Sequence, residues 1–170
     1  GGLTGQKSGN VFRESARMIK DGAVIAWFRG RMEFGPRALG NRSILADPAH
    51  PSMKDTINAR VKHREQFRPY GAAVLAGDAG EYFEDVGDSP FMLKVYRFRD
   101  HCRNAFPAIR HVDGSCRLQT VTENNAPAFF PLLREMKRAC GYGMVLNTSM
   151  NIQGEPIVNS PEEAVTLLKN

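Results

Sequence analysis

Three stretches of this chain are apolar, the last up to a closing asparagine, and only a few residues long: AVIAWF at 23–28, AAVLA at 72–76 and MVLN at 144–147. Such runs are too short for core helices. Lacking alternation, they read as strands covered on both faces of a sheet. That constrains the chain to a layered fold with helices available for both faces. The patterns between the runs supply them. Val11 to Lys20 reads as a helix stopped by Gly22. HPSMKDTINARV, from His50, places Ser52 three residues before Asp55 as a helix cap. DAGEYFE at 78–84 reads as a short helix, and Pro127 to Ala139 as a longer one ending at Gly141. SPEEAVTLL closes the pattern, with Ser160 as N-cap, Pro161 at the first position and Glu163 completing a capping box.

Two further strands are expected. FMLKVYRF begins at Phe91, and SCRLQTV at 115–121 alternates, with Cys116, Leu118 and Thr120 on one side and Arg117, Gln119 and Val121 on the other. Strands alternating with helices over 170 residues give one α/β (α+β) domain on a mixed sheet. The opening GGLTGQKSGN has neither a signal-like apolar core nor an initiator methionine. A fragment of a longer protein is therefore expected, with 1–22 as linker and first helix and 23–170 as the domain. Three widely spaced cysteines, Cys102, Cys116 and Cys140, argue against a disulfide framework and for a reduced, cytoplasmic setting. No window is long and apolar enough for a membrane span.

The net charge is +5, and two segments account for it. Arg29 to Arg42 carries four arginines and one glutamate, and Asn58 to Tyr70 carries four cations and one glutamate, so the rest of the chain is near −1. Focused charge of this kind fits a compact anion better than a uniformly basic surface. In the first segment, GRMEFGPRALGNRS from Gly30 combines Arg37, Arg42 and Ser43 with glycines that let backbone N–H groups approach an anion. It lacks the Gly-Lys-Ser/Thr ending of a P-loop. In the second, KHREQFRPYG, an extended backbone would point Lys62 and Arg64 the same way, and Arg68-Pro69 breaks any helix. Two of the apolar strands run directly into polar loops, AVIAWF into the first segment and MVLN into NTSMNIQGEP. The latter offers Asn147, Ser149 and Asn151. A ligand crevice is expected at these carboxyl ends. IRHVDGSCRLQTV adds Arg117, Gln119 and His111. No nucleophile triad and no zinc-like spacing is present, so no metal site is expected in the chain. The donors suit a transferring phosphate, with Mg²⁺ arriving on a nucleotide.

GRMEFGPRALGNRSILADP, KHREQFRPYGAAVL, HVDGSCRLQTV and LNTSMNIQGEPIVNSPEEA, in that order, resemble the C-terminal domain of the nodulation-protein-U-type O-carbamoyltransferases, a family that includes cephalosporin and tobramycin carbamoyltransferases. The resemblance spans about Val24 to Leu168. It implies a YrdC-like fold, a twisted mixed sheet flanked by helices. It implies a domain that makes carbamoyl adenylate and pyrophosphate from carbamoyl phosphate and ATP with Mg²⁺. A separate N-terminal transferase domain of the same chain would pass the carbamoyl group to an acceptor hydroxyl. By this resemblance Arg37, Lys62, Arg68 and Arg117 hold carbamoyl phosphate and the nucleotide phosphates. Asn147 and Ser149 contact the adenylate, and Arg64 and Asn151 complete the KxR and SxN signatures. RPYGA and SMN depart mildly from the family's commoner RPFAP and SFN. A different class of reading, an RNA-binding YrdC-like module, shares the basic residues but lacks an aromatic stacking platform. A nucleotide-sensing regulatory domain would bind ATP without turnover. A homodimer is compatible with these features.

Overall fold

The computed structural model describes residues 4–169. Six strands form one sheet in the order β1-β2-β6-β3-β5-β4. They are β1 Ile25–Phe28, β2 Arg42–Ala46, β3 Gly71–Leu75, β4 Lys94–Arg97, β5 Ser115–Val121 and β6 Met144–Ser149. Only β3 and β5 run parallel; every other pair is antiparallel. Among the described residues the helices are α1 Val11–Lys20, α2 Met53–Ile57, α3 Ala79–Tyr82, α4 Phe130–Cys140 and α5 Pro161–Lys169, with a π-turn at Asn58–Lys62 and a 3-10 turn at Asp100–Cys102.

The runs that form β3 and β6 are buried, as their composition requires, but AVIAWF forms the edge strand β1, where Trp27 is buried and its neighbours are only half-buried. On one face Leu45, Ala73, Val121 and Val145 pack with Ala16 and Ile19 of α1 and with Leu132, Leu133 and Met136 of α4. On the other, Ala72, Val74, Cys116, Leu118 and Leu146 pack with Met53 and Ile57 of α2 and Ala79 of α3. Ile44 and Met150 on this second side meet Ala164 of α5. The expected alternation in β5 holds, with Cys116 and Leu118 in one core and Val121 in the other.

Several expectations change. Arg42 and Ser43 belong to a fully buried strand and not to a loop. A sequence opening on arginine conceals it, because Arg42 enters the interior by donating to backbone carbonyls. The helix expected over 50–61 is one short α segment that passes into the π-turn. Ser52 makes no capping bond; its hydroxyl lies 3.3 Å from His50 Nδ1 instead. The strand expected from Phe91 begins only at Lys94, because Met92 takes φ +54° and breaks the extended path. At α5, Ser160 Oγ accepts from the Glu163 N–H at 3.2 Å, but Glu163 reaches back to the N–H of Asn159, one residue earlier than a standard capping box. Gly141 ends α4 in the left-handed conformation, φ +85°.

Candidate anion-binding cleft

Register places the site. The carboxyl ends of β1 and β6 lie beside the amino ends of β2, β3 and β5, since Phe28 pairs with Arg42, Ser149 with Ser43, Asn147 with Gly71, and Ala72 with Leu118. The crevice is thus at the carboxyl ends of the two expected strands. In a largely antiparallel sheet it also collects amino ends.

At this edge a cleft of about 90 Å³ is lined by Arg37, Ala38, Arg64, Tyr70, Gly71, Met92, Arg117, Asn147 and Ser149, among others. Its floor is Gly71. A Cβ there would stand 2.9 Å from the Arg117 carbonyl and 2.9 Å from Met92 Sδ, so only glycine leaves the space open. Three guanidiniums face this volume, and none has a carboxylate partner among the described residues. The Nε atoms of Arg37 and Arg117 are buried without an acceptor. Burial first, then the charge of Arg37, pulls Arg117 below the usual arginine value. Unpaired cations gathered in a partly desolvated cleft repel one another until an anion arrives.

The scaffold behind these arginines is polar and buried. Asn58, on the π-turn, accepts from Arg64 Nε at 2.8 Å and from the Tyr70 hydroxyl, and Arg64 stacks 4.6 Å above the Tyr70 ring. His63 ends the π-turn with a left-handed backbone, φ +48°. The extended geometry expected for 62–64 is therefore absent, and Lys62 and Arg64 diverge. Lys62 is buried behind the cleft wall. Its ammonium donates to the carbonyl and hydroxyl of Ser149 and to the carbonyl and side-chain oxygen of Asn151. Burial, with Arg64 as a further cause, lowers it to about 7. Asn151 in turn donates to the Glu155 carbonyl at 2.7 Å.

The first loop hangs on one acid. Glu33 Oε1 accepts from the N–H groups of Leu39, Asn41 and Arg42 at 2.7, 2.8 and 3.3 Å. Gly40 N–H donates to Ser43 Oγ at 3.1 Å. Gln119 and Asn147 tie the loop to the sheet, donating to the carbonyls of Leu39 and Ala38. Arg42 donates to the carbonyls of Arg29, Gly30, Asn41 and Asn159 and lies 3.5 Å over the Phe28 ring.

Of the residues singled out in sequence, the structure brings Arg37, Arg64, Arg117, Asn147 and Ser149 to the cleft wall. Lys62, Asn151, Gln119, Ser43 and Arg42 form the layer that holds it. His111 stands apart, with Nε2 3.4 Å from the Tyr70 carbonyl, Nδ1 3.3 Å from Ser115 Oγ, and burial lowering its basicity. Arg68 is half-exposed, 3.7 Å from Glu65, and outside the lining. Sequence reasoning passed over Glu33, Asn58 and Met92. Glu33 carried a signal, as the one acid in a cationic loop; Asn58 and Met92 carried none. No group of three or more His, Cys, Asp or Glu side chains positioned for a metal occurs among the described residues.

The family profile described as "Carbamoyltransferase C-terminus" matches residues 16–170. The chain belongs to that family. Carbamoyltransferase C-terminal domains of this kind recur in longer proteins. The chain is 48% identical to nodulation protein NolNO of Sinorhizobium fredii, covering 95% of this chain and 24% of that one. It is 46% identical to nodulation protein NolO of Bradyrhizobium diazoefficiens, covering 98% and 31%. It is 38% identical to the 3'-hydroxymethylcephem-O-carbamoyltransferase of Amycolatopsis lactamdurans, covering 89% and 29%. The chain thus spans a quarter to a third of the length of these relatives. In fold it is similar to HypF. It superposes on T. kodakarensis HypF with TM-score 0.68 at 17% identity, covering 96% of this chain and 20% of that one. Against full-length HypF in its phosphate- and nucleotide-bound form the TM-score is 0.63 at 15% identity, covering 98% and 20%. The carbamoyltransferase C-terminal domain therefore has the mixed, helix-flanked YrdC-like sheet that the resemblance implies. No described helix is long and apolar enough to cross a membrane.

Proposed function

We propose that this domain forms carbamoyl adenylate from carbamoyl phosphate and ATP, for transfer to an acceptor hydroxyl by a domain that precedes it in the longer proteins of the family. The observation that carries this reading is the convergence of Arg37, Arg64 and Arg117, all without acidic partners, on one small cleft. The atoms balance with one water. Water takes the phosphoryl group of carbamoyl phosphate as inorganic phosphate, and the carbamate oxygen so freed attacks the α-phosphorus of ATP, expelling pyrophosphate. Both steps bring anions together, and fixed guanidiniums lower that barrier without reorganisation. Lys62, by clamping Ser149 and Asn151, holds the β6 end of the site in place. A cleft of about 90 Å³ admits phosphate- or carbamoyl-sized groups, so adenosine lies on its open side. No carboxylate lines the cleft, and Mg²⁺ enters on the nucleotide, held by its phosphates. The preceding domain has a surface to meet: Leu93, just before edge strand β4, and Val95 on it stand exposed, and Val95 pairs with Arg117 and so shares its sheet face. A reducing cytoplasm, with ATP at hand, suits the three free cysteines.

The deciding measurement is pyrophosphate release from MgATP with and without carbamoyl phosphate. Release that depends on carbamoyl phosphate is expected. ATP binding without such release would favour a nucleotide sensor. RNA binding with a steep salt slope and no ATP binding would favour the nucleic-acid module.

A further inference from the structure

Three residues that line the cleft carry buried hydrogen-bonding atoms that are unmet, and these are of two opposite kinds. Arg37 Nε and Arg117 Nε are donors without acceptors, and Asn147 Oδ1 is an acceptor without a donor. Asn147 is only 1% exposed and lines the cleft. The orientation of its amide is fixed by neighbours that can only accept. Gln119 Nε2 donates to the Leu39 carbonyl at 2.9 Å, which turns Gln119 Oε1 toward Asn147. Asn147 Nδ2 then donates to that oxygen and to the Ala38 carbonyl, each at 3.1 Å. Flipping either amide would set oxygen against oxygen. Asn147 Oδ1 therefore occupies the edge turned away from this network. The nearby Ser149 hydroxyl is not its donor, being committed to Asn151 Oδ1 at 2.6 Å.

A fully ionised phosphate would satisfy the arginines and leave this oxygen bare, because its oxygens only accept. A ligand that meets both sets carries acceptor oxygens and an N–H donor on the same small group. We infer that Asn147 Oδ1 accepts a hydrogen bond from the NH₂ of the carbamoyl group, making Asn147 the residue that selects a carbamoyl donor over acyl phosphates lacking that N–H. The assignment rests on the carbamoyl phosphate reading given above. Sites that bury a polar group for a substrate N–H discriminate strongly against the analogue without it, because the protein group is then left unpaired.

The test uses two phosphonates that differ only at this position. Phosphonoacetamide carries the NH₂, and acetonylphosphonate carries CH₃ in its place. Calorimetric titration of the chain is expected to show the amide binding at least about tenfold more tightly. In Asn147→Ala the preference falls to within about twofold, because neither analogue then finds the acceptor. Equal binding of the two to the wild type would overturn the assignment while leaving the anion cleft standing. A preference that survives in Asn147→Ala would overturn it as well. Binding of neither would remove the carbamoyl phosphate reading, and this assignment with it. Equal binding of the two by the wild type overturns the assignment even where Asn147→Ala fails to fold.

Discussion

Lys62 holds Asn151 at two points, its ammonium donating to the backbone carbonyl at 2.9 Å and to the side-chain oxygen at 2.8 Å. The unfolded chain keeps the Lys62 proton up to about pH 10.5, the folded chain only to about 7. Between those values the unfolded state binds more protons, so stability rises with pH. Wild type should gain stability relative to Lys62→Met from pH 7 to pH 10, and below pH 7 the difference should be flat. Urea midpoints of the two proteins across that range test this. A difference independent of pH throughout would mean that the four oxygens keep Lys62 charged.

Arg117 and Arg37 repel each other in the empty cleft. Replacing Arg117 with Met should leave the thermal midpoint unchanged or raised, and should weaken pyrophosphate binding about 10- to 100-fold, the worth of one charge-assisted contact. Thermal shifts with and without pyrophosphate read both effects. A lowered midpoint in the absence of ligand would show that Arg117 is instead part of the scaffold.

Arg68 offers a contrast. It stands half-exposed beside Glu65, outside the cleft lining. Arg68→Ala should change pyrophosphate affinity of this chain by less than about threefold, whereas Arg64→Ala should cost tenfold or more. Equal losses would bring Arg68 into the site, as the family resemblance implies.

Glu33 gathers three backbone N–H groups. Glu33→Ala orphans them and should cost about 3 kcal/mol in urea unfolding, with loss of pyrophosphate binding. Glu33→Gln keeps an accepting oxygen and should recover more than half of both. Without that recovery, the negative charge itself would be the requirement.

Gly40 has φ +107°, and a Cβ there would lie 2.4 Å from the Phe129 ring. Gly40→Ala combines backbone strain with overpacking and should destabilise by about 3 kcal/mol or more. A midpoint within error of wild type would mean that the loop repacks freely.

Much of this was legible because two signals are local. Unbroken apolar runs report a sheet covered on both faces, and SCRLQTV reports its own alternation. The cationic loops reported the cleft in the same way. What escaped was tertiary. Arg42 reads as a surface charge until carbonyls from residues 29, 30, 41 and 159 surround it. Lys62 and Arg64 read as a pair until a π-turn and a left-handed His63 send them apart. Asn58 gives no sign in sequence that it will orient an arginine and a tyrosine together.

The reach of Arg42 has a consequence for how the protein comes into being. Its guanidinium joins the segment before β2 to Asn159, 117 residues further along the chain. The cleft walls span a similar interval, from Pro36 to Ser149. During synthesis the first loop leaves the ribosome with its arginines in hand and nothing to close against. The cleft walls can meet only once β6 has followed the first loop out, because Asn147 and Ser149 complete the lining that Pro36 and Arg37 begin.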